Sequence, residues 1–184
     1  MAGILALAWQ TIKGIVDWRK RPVLRVRRLD AKRDILTWTF ADLQGQQRKF
    51  ITLQVDNNGQ RTASRCIAIL TIEPRPNHLP ENRFDLHWTG IDYNLIAAGA
   101  QPVDIGSEGR RLDVAFTVDQ QNAPGCWLAV PVALALPIPN QAFLPPGDYG
   151  AVLTVSCENG KGHSVRLRIR APTRWQHLDA TWVE

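Results

Sequence analysis

Apolar and polar residues alternate at every second position in much of this sequence, and this alternation constrains the fold more than any other feature. It recurs in five segments: 24–27, 51–56, 112–118, 149–157 and 165–170. Successive side chains of a β-strand point to opposite faces of a sheet, so a period of two predicts strands with one buried face. The sequence also predicts strands around 35–40, 65–72, 84–88 and 127–134.

Residues typical of tight turns separate these segments. Asn57-Asn58-Gly59 follows one predicted strand, and the stretches 145–148 and 158–162, rich in Pro, Gly and Asn, bracket another. The chain from 149 to 170 therefore predicts a β-hairpin. A chain that is 45% apolar can form a core. This many short strands with regular turns predict an all-β fold, and an antiparallel sandwich rather than a barrel.

Three motifs occur in a fixed order along the predicted sandwich. They are Phe50–Gly59 with Thr62-Ala63, then Val103–Phe116, then Leu144-Pro145-Pro146-Gly147-Asp148-Tyr149. They resemble the V-x-V-x-N-x-G-x-x-x-A, I-x-x-G-x-x-x-x-x-x-x-F and L-P-x-G-x-Y units of bacterial immunoglobulin-like domains, notably the cell-adhesion-related (CARDB) kind. The resemblance covers residues 23–171 and implies an immunoglobulin-like scaffold that binds rather than catalyses. The motifs define no functional residue.

Tyr149 stands near the start of the predicted strand that follows Pro145-Pro146-Gly147. A tyrosine at this place is typical of a tyrosine corner, in which the hydroxyl bonds the backbone at one end of a sandwich. The sequence therefore predicts a structural role for Tyr149.

Positive charge is concentrated in the first 33 residues. The chain carries 22 Lys and Arg against 17 Asp and Glu, a net charge of +5. Residues 1–33 hold nine of the basic and two of the acidic side chains, a balance of +7, so residues 34–184 balance at −2. The positive charge is therefore concentrated at the N-terminal end and is not spread over the whole chain, so it is this end whose binding partner has to be explained.

Residues 1–22 predict a short amphipathic helix. Apolar residues recur at spacings of three and four, and a basic cluster follows before Pro22, which ends the helix. The candidate contact residues are Leu5, Trp9, Ile12, Val16, Arg19, Lys20 and Arg21. Two interpretations stay open: the stripe packs on the sandwich or a partner, or it lies in a membrane surface with its basic cluster on anionic headgroups. The basic flank would then place the body on the cytoplasmic side.

Arginines alternate with apolar residues in the first and last predicted strands. They are Arg25, Arg27, Arg166, Arg168 and Arg170. The first and last strands of immunoglobulin-like sandwiches often lie side by side, and the five arginines would then share one basic face. That face is either a solvated surface that discourages edge pairing or a site for an anionic partner, whether protein, lipid headgroup or nucleic acid.

Two tryptophans mark the C-terminal residues 172–184, which the sequence places outside the sandwich as a tail. Trp175 is predicted to cover one end of the sandwich. The alternative is that Trp182 docks on another chain, because tryptophan is favoured as an interface anchor. The sequence leaves these two interpretations equal.

Motifs for catalysis or metal binding are missing from the sequence. It contains neither a nucleophile elbow nor a glycine-rich phosphate loop, and its four histidines are not at ligand spacing. Three cysteines, an odd number without zinc-ligand spacing, are interpreted as buried apolar residues suited to a reducing compartment. We therefore expect no enzymatic activity, metal, cofactor or small-molecule substrate.

These features together predict a non-enzymatic binding or assembly module that engages a partner protein or a second copy of itself. It comprises the helix 1–22, the sandwich 23–171 and the tail 172–184. One alternative is a membrane-peripheral accessory subunit anchored by residues 4–18. Another is a nucleic-acid-associated accessory protein that uses the basic sheet face. No run of 18 apolar residues occurs, and the N-terminal charges follow the apolar run, so we expect a cytoplasmic protein, at the inner membrane face if the helix binds lipid.

Overall fold

Two antiparallel sheets pack face to face in the computed structural model, which describes residues 9–11, 18, 20–40, 46–89, 102–119, 124–131 and 142–183. The predicted all-β sandwich is confirmed. The core lies between the sheets and is built from the apolar members of the alternating segments.

The first sheet contains β1 (Leu24–Val26), β2 (Ile35–Phe40), β3 (Gln46–Asn57), β7 (Arg110–Val118), β8 (Cys126–Leu128) and β9 (Phe143–Leu144). Its order is β1-β3-β7-β8-β9, and β2 also pairs with β3. A single turn of helix, α1 (Ala31–Asp34), separates β1 from β2, and the Asp30 side chain caps it by accepting from the Lys32 amide at 3.0 Å.

The second sheet contains β4 (Ala63–Ile72), β5 (Arg83–Asp85), β6 (Val103–Ile105), β10 (Gly147–Ser156), β11 (His163–Ala171) and β12 (Asp179–Val183). Its order is β12-β11-β10-β4-β5, and β6 also pairs with β4. The predicted hairpin is present as β10 and β11, which pair from Gly147↔Ala171 to Val155↔His163. A short 3-10 helix, Trp175–His177, precedes β12.

The central strands follow the immunoglobulin arrangement, with β1-β3-β7 in the A-B-E places and β4-β10-β11 in the C-F-G places. The chain after β5 passes from one sheet to the other. The Leu86 amide donates to Ala68 O of β4 at 2.8 Å, and the Thr89 amide donates to Arg111 O of β7 at 3.0 Å. Tyr149 forms the predicted tyrosine corner, because its hydroxyl donates to Pro145 O at 2.9 Å.

The first sheet is buried on both faces along β3 and β7. Ile51, Leu53 and Val55 point inward with Val26 of β1, whereas Phe50 and Phe116 lie on the opposite face and are also buried. Their rings stack with centroids 5.4 Å apart, and the row continues across β8 and β9 through Trp127 and Phe143. Simple alternation does not reveal this second apolar layer.

Candidate partner-binding surface

The outer face of the second sheet carries the arginines of β11. Arg166, Arg168 and Arg170 are exposed, and they alternate with buried residues because the strand has one face on the core. Arg170 is compensated: its Nε lies 3.1 Å from Asp148 Oδ1, and Asp179 of β12 lies opposite it in the register. This end of the face opens into a groove of about 640 Å³ that Asp148, Arg170 and Asp179 help to line.

Arg166 and Arg168 have different surroundings. Their cross-strand neighbours are uncharged: Val152 and Val183 flank Arg166, and Gly150 and Thr181 flank Arg168. The part of the chain that the structure describes offers neither arginine an ion pair. Residues two apart on a strand are separated by about 7 Å, so two uncompensated positive charges stand side by side. We call these two arginines and their four neighbours the arginine surface.

Gly150 keeps this surface flat beside Arg168. A Cβ atom at Gly150 would lie 2.6 Å from Glu73 O, and the Glu73 amide donates to Gly150 O at 2.9 Å. The close approach of the two backbones leaves no room for a side chain there. Arg83 of β5 lies in the same row as Arg166, through the pairs with Val152 and Thr71. It is a fourth exposed arginine on this face, and the sequence pattern does not single it out.

Arg25 and Arg27 lie on the other sheet. β1 pairs with β3, whereas β11 pairs with β10 and β12, so the structure does not bring the five arginines onto one face. Arg27 is neutralised by a two-pronged ion pair with Asp56, at 3.0 Å from Nε and 2.7 Å from Nη2. The first strand takes the edge beside β3 because Leu24 and Val26 pack into the core there. Of the five predicted arginines, only the three of β11 lie on a common face.

The N-terminal candidates are described in part. Trp9 is helical and 68% exposed, and Trp18 is helical and 66% exposed. Lys20 and Arg21 are exposed in the turn that follows, whereas Leu5, Ile12, Val16 and Arg19 lie outside the described residues. Among the residues described, no helix is long and apolar enough to cross a membrane.

Pro22 fixes the N-terminal segment to one end of the sandwich. It is buried, and a Cβ atom on Gly160 would lie 2.5 Å from its carbonyl oxygen. A Cβ atom on Gly59 would lie 2.6 Å from its Cα. The Lys161 amide donates to Pro22 O at 2.9 Å, so the turn between β10 and β11 holds the segment in place. Glycine is required at both positions because backbone passes so close.

The C-terminal residues extend the second sheet. Residues 179–183, predicted to lie in a tail outside the sandwich, form β12 on the edge of β11, with Trp182 opposite Leu167. Trp182 packs against the core and is half-buried, and Trp175 is half-buried in the 3-10 helix. Trp175 O accepts from Thr117 Oγ1 of β7 at 2.9 Å, which ties this segment to the first sheet.

A buried polar cluster surrounds Asp113 of β7, which is 3% exposed. Its Oδ1 accepts from Thr52 Oγ1 at 3.0 Å and from Thr89 Oγ1 at 2.8 Å, and His87 Nδ1 lies 3.5 Å from Oδ2. The cluster forms where the register of β3 and β7 shifts after Ile51. In the sequence Asp113 occupies a polar position of an alternating strand, and such a position predicts exposure to solvent. The sequence pattern therefore does not reveal that Asp113 is buried. We interpret the cluster as structural, because the two threonine hydroxyls that donate to Asp113 tie β3 and the segment after β5 to β7.

No group of three His, Cys, Asp or Glu side chains within the described ranges is placed to hold a metal ion.

Comparisons with known proteins identify no relative of this chain. Neither a protein-family model, nor a curated protein, nor a solved structure matches the chain.

Proposed function

We propose that the protein is a non-enzymatic binding module whose arginine surface engages an acidic surface of a partner protein. The contrast between paired and unpaired arginines carries the proposal. Arg170 and Arg27 have carboxylate partners at 3.1 Å or less, whereas Arg166 and Arg168 stand exposed between uncharged neighbours.

Guanidinium groups suit this role. Arginine presents a rigid fork of donors that binds a carboxylate with two hydrogen bonds, and it is enriched among the residues that dominate protein interfaces. A rigid β-sheet holds the two forks at a fixed spacing, which lowers the entropy lost on binding. The resemblance of three sequence motifs to CARDB-type domains supports a binding role for the same scaffold.

A protein partner fits this surface better than single-stranded nucleic acid. Proteins that bind single strands usually combine a basic groove with aromatic side chains on which bases stack. The outward positions of β10, β11 and β12 carry no aromatic residue among those the structure describes, since Trp182 faces the same side as Leu167. A nucleic-acid-associated function therefore stays the weaker alternative.

Two charge reversals of equal size test the proposal. The double variant Arg166→Glu/Arg168→Glu alters the arginine surface, and Arg25→Glu/Arg27→Glu makes the same change of net charge on the other sheet. Each protein is immobilised, exposed to lysate of the organism that encodes it, and eluted along a salt gradient. We expect the first variant to lose an acidic protein that the wild type and the control retain, and that elutes early in the gradient. Equal recovery by both variants would reject the surface.

Exposed tryptophans favour a second candidate, a membrane-peripheral accessory subunit anchored by residues 4–18. Trp9 and Trp18 expose two thirds of their surface, and tryptophan is enriched at membrane interfaces. A protein held in this way at the inner face of a membrane would be cytoplasmic. Co-sedimentation with vesicles containing anionic lipid should fall in the variant Trp9→Ser/Trp18→Ser, with Trp38→Ser as an exposed control. Absence of wild-type co-sedimentation would remove this candidate.

A further inference from the structure

Two of the three cysteines meet across neighbouring strands of the second sheet. Ile67 of β4 is opposite Ser156 of β10, so the next pair in this antiparallel register is Cys66 and Cys157. The two thiols are close enough for each to shift the pKa of the other, and the Cys66 thiol donates to Ala63 O at 3.4 Å. Cys66 is buried and Cys157 is half-buried, and neither is in a disulfide in this structure.

The turn between β10 and β11 is clamped to the start of β4, and this holds the two thiols together. The Asn159 side chain accepts from the Ser64 amide at 2.9 Å and donates to Thr62 O at 3.0 Å. Glu158 pairs with Arg65 at 2.6 Å. These three polar contacts cannot form unless the turn lies against β4, so the pairing of the cysteines is part of the folded structure.

We propose that Cys66 and Cys157 are a modification site: a peroxide oxidant converts them to an intrachain disulfide between β4 and the end of β10. Opposite residues of an antiparallel pair have Cα atoms about 4.5–5.5 Å apart, and disulfides need about 4.4–6.8 Å. The bond forms within one sheet. It therefore differs from the disulfide of antibody domains, which joins the two sheets.

The reaction balances with one peroxide molecule. The Cys157 thiolate attacks the peroxide, an S–O bond forms, the O–O bond breaks, and the leaving hydroxide takes up a proton to give water and a sulfenic acid. The sulfur of Cys66 then attacks the sulfenic sulfur, the S–S bond forms, the S–O bond breaks, and the departing hydroxide takes the Cys66 proton as a second water. The two thiols lose two electrons and two protons in total.

Cys157 is the cysteine that meets the oxidant first, because it is the more exposed of the pair. Burial raises the pKa of Cys66 to about 12, and it also raises the pKa of Cys157. Since the thiolate is the nucleophile, oxidation is slow at neutral pH and accelerates as the pH rises. The pair therefore behaves as a site that responds to sustained oxidising conditions.

The disulfide would also secure the N-terminal segment. Gly160 lies in the same turn, and its Cβ position is 2.5 Å from Pro22 O and 3.0 Å from Cys157 Sγ. Linking Cys157 to β4 therefore fixes the turn that holds Pro22, where the cationic segment leaves the sandwich.

Hydrogen peroxide is the probe for the test, applied to the full-length protein at pH 7 and pH 9. Free thiols are counted after denaturation, and the peptides are mapped by mass spectrometry. We expect two of three thiols to be lost, faster at pH 9, in a Cys66–Cys157 linked peptide that is lighter by two hydrogen atoms. Closing a loop of this length should raise Tm by roughly 10 °C.

Matched variants separate this site from the third thiol. Cys157→Ser should keep its remaining thiols and show no Tm rise, and Cys126→Ala, which alters the fully buried thiol of β8, should behave as the wild type does. Retention of all three thiols at pH 9, a linkage that includes Cys126, or a bond between two chains would overturn the proposal. The wild-type peptide map decides the matter even if a variant does not fold.

Discussion

Replacing Asp113 by alanine should destabilise the fold more than any single change on its surface. The carboxylate is 3% exposed and accepts from the hydroxyls of Thr52 and Thr89 at 3.0 and 2.8 Å. A hydrogen bond to a charged acceptor contributes about 1.5–3 kcal/mol, so two contribute about 3–6 kcal/mol. Removing the carboxylate also removes the cost of burying its charge, which offsets part of this sum. We expect a net loss of about 3 kcal/mol.

Urea unfolding followed by far-ultraviolet circular dichroism measures this loss. For a chain of this size, about 3 kcal/mol corresponds to a fall in Tm of roughly 6–12 °C. Asp113→Asn keeps one oxygen acceptor without the charge and should lose about 1 kcal/mol. Asp85→Ala, at an exposed position of β5, is the control and should stay within about 0.5 kcal/mol of the wild type. If Asp113→Ala unfolds within about 1 kcal/mol of the wild type, the cluster does not stabilise the fold.

Three further changes test the ends of the sandwich by thermal unfolding. Gly160→Ala should lower Tm, because its Cβ would lie 2.5 Å from Pro22 O. Gly147→Ala is the control and should not lower Tm, because the nearest atom to its Cβ is 3.5 Å away. Equal Tm values for the two variants would contradict this. Tyr149→Phe should lower the free energy of unfolding by about 1 kcal/mol, because it removes the hydrogen bond to Pro145 O. An unchanged free energy of unfolding would mean that this bond does not stabilise the fold. Burial lowers the pKa of His163, and the nearby Arg25 and Lys161 lower it further. Folding stability should therefore fall as the pH drops below about 6.5, and it should fall less in the variant His163→Gln.

The direction of the His163 effect follows from proton uptake. The unfolded chain binds a proton near the ordinary pKa of 6.5, whereas the folded protein resists it until a lower pH. Folding stability is therefore unaffected above about pH 6.5 and is lost as the pH falls from there to the lowered pKa of His163. The imidazole Nδ1 accepts from the Val26 amide at 3.2 Å, and protonation would end that contact. A Tm that does not change between pH 7.5 and pH 5 would contradict this account.

Alternation predicted the strands well where one face meets the core and the other meets solvent. β10 and β11 are the clearest case, since Leu153, Val155 and Leu167 are buried and Arg166 and Arg168 are exposed. The same physics explains Tyr149, because its place after a Pro-Gly turn follows from local sequence. Such features depend on neighbours in the chain and need no knowledge of distant contacts.

The remaining features depend on contacts between distant segments. β12 is short, with Ala180 and Trp182 as its inward residues, and only the free edge of β11 makes it a strand. Asp113 is buried because the shifted register of β3 and β7 places Thr52 beside it. The five arginines were predicted to share a face because the first and last strands often lie side by side. β1 does meet the start of β11, where the Val26 amide donates to His163 Nδ1, but its ladder is with β3, which places Arg25 and Arg27 on the other sheet.

Site-specific photo-crosslinking tests the proposed binding surface most directly. A photoreactive residue at Thr181 would stand beside Arg168 on the arginine surface, and one at Thr37, exposed on β2, would stand on the other sheet. We predict that an acidic protein is crosslinked from Thr181 and not from Thr37, and that Arg166→Glu/Arg168→Glu abolishes the product. Crosslinking of the same protein from Thr37 alone, or an undiminished product in the charge-reversed variant, would contradict the account.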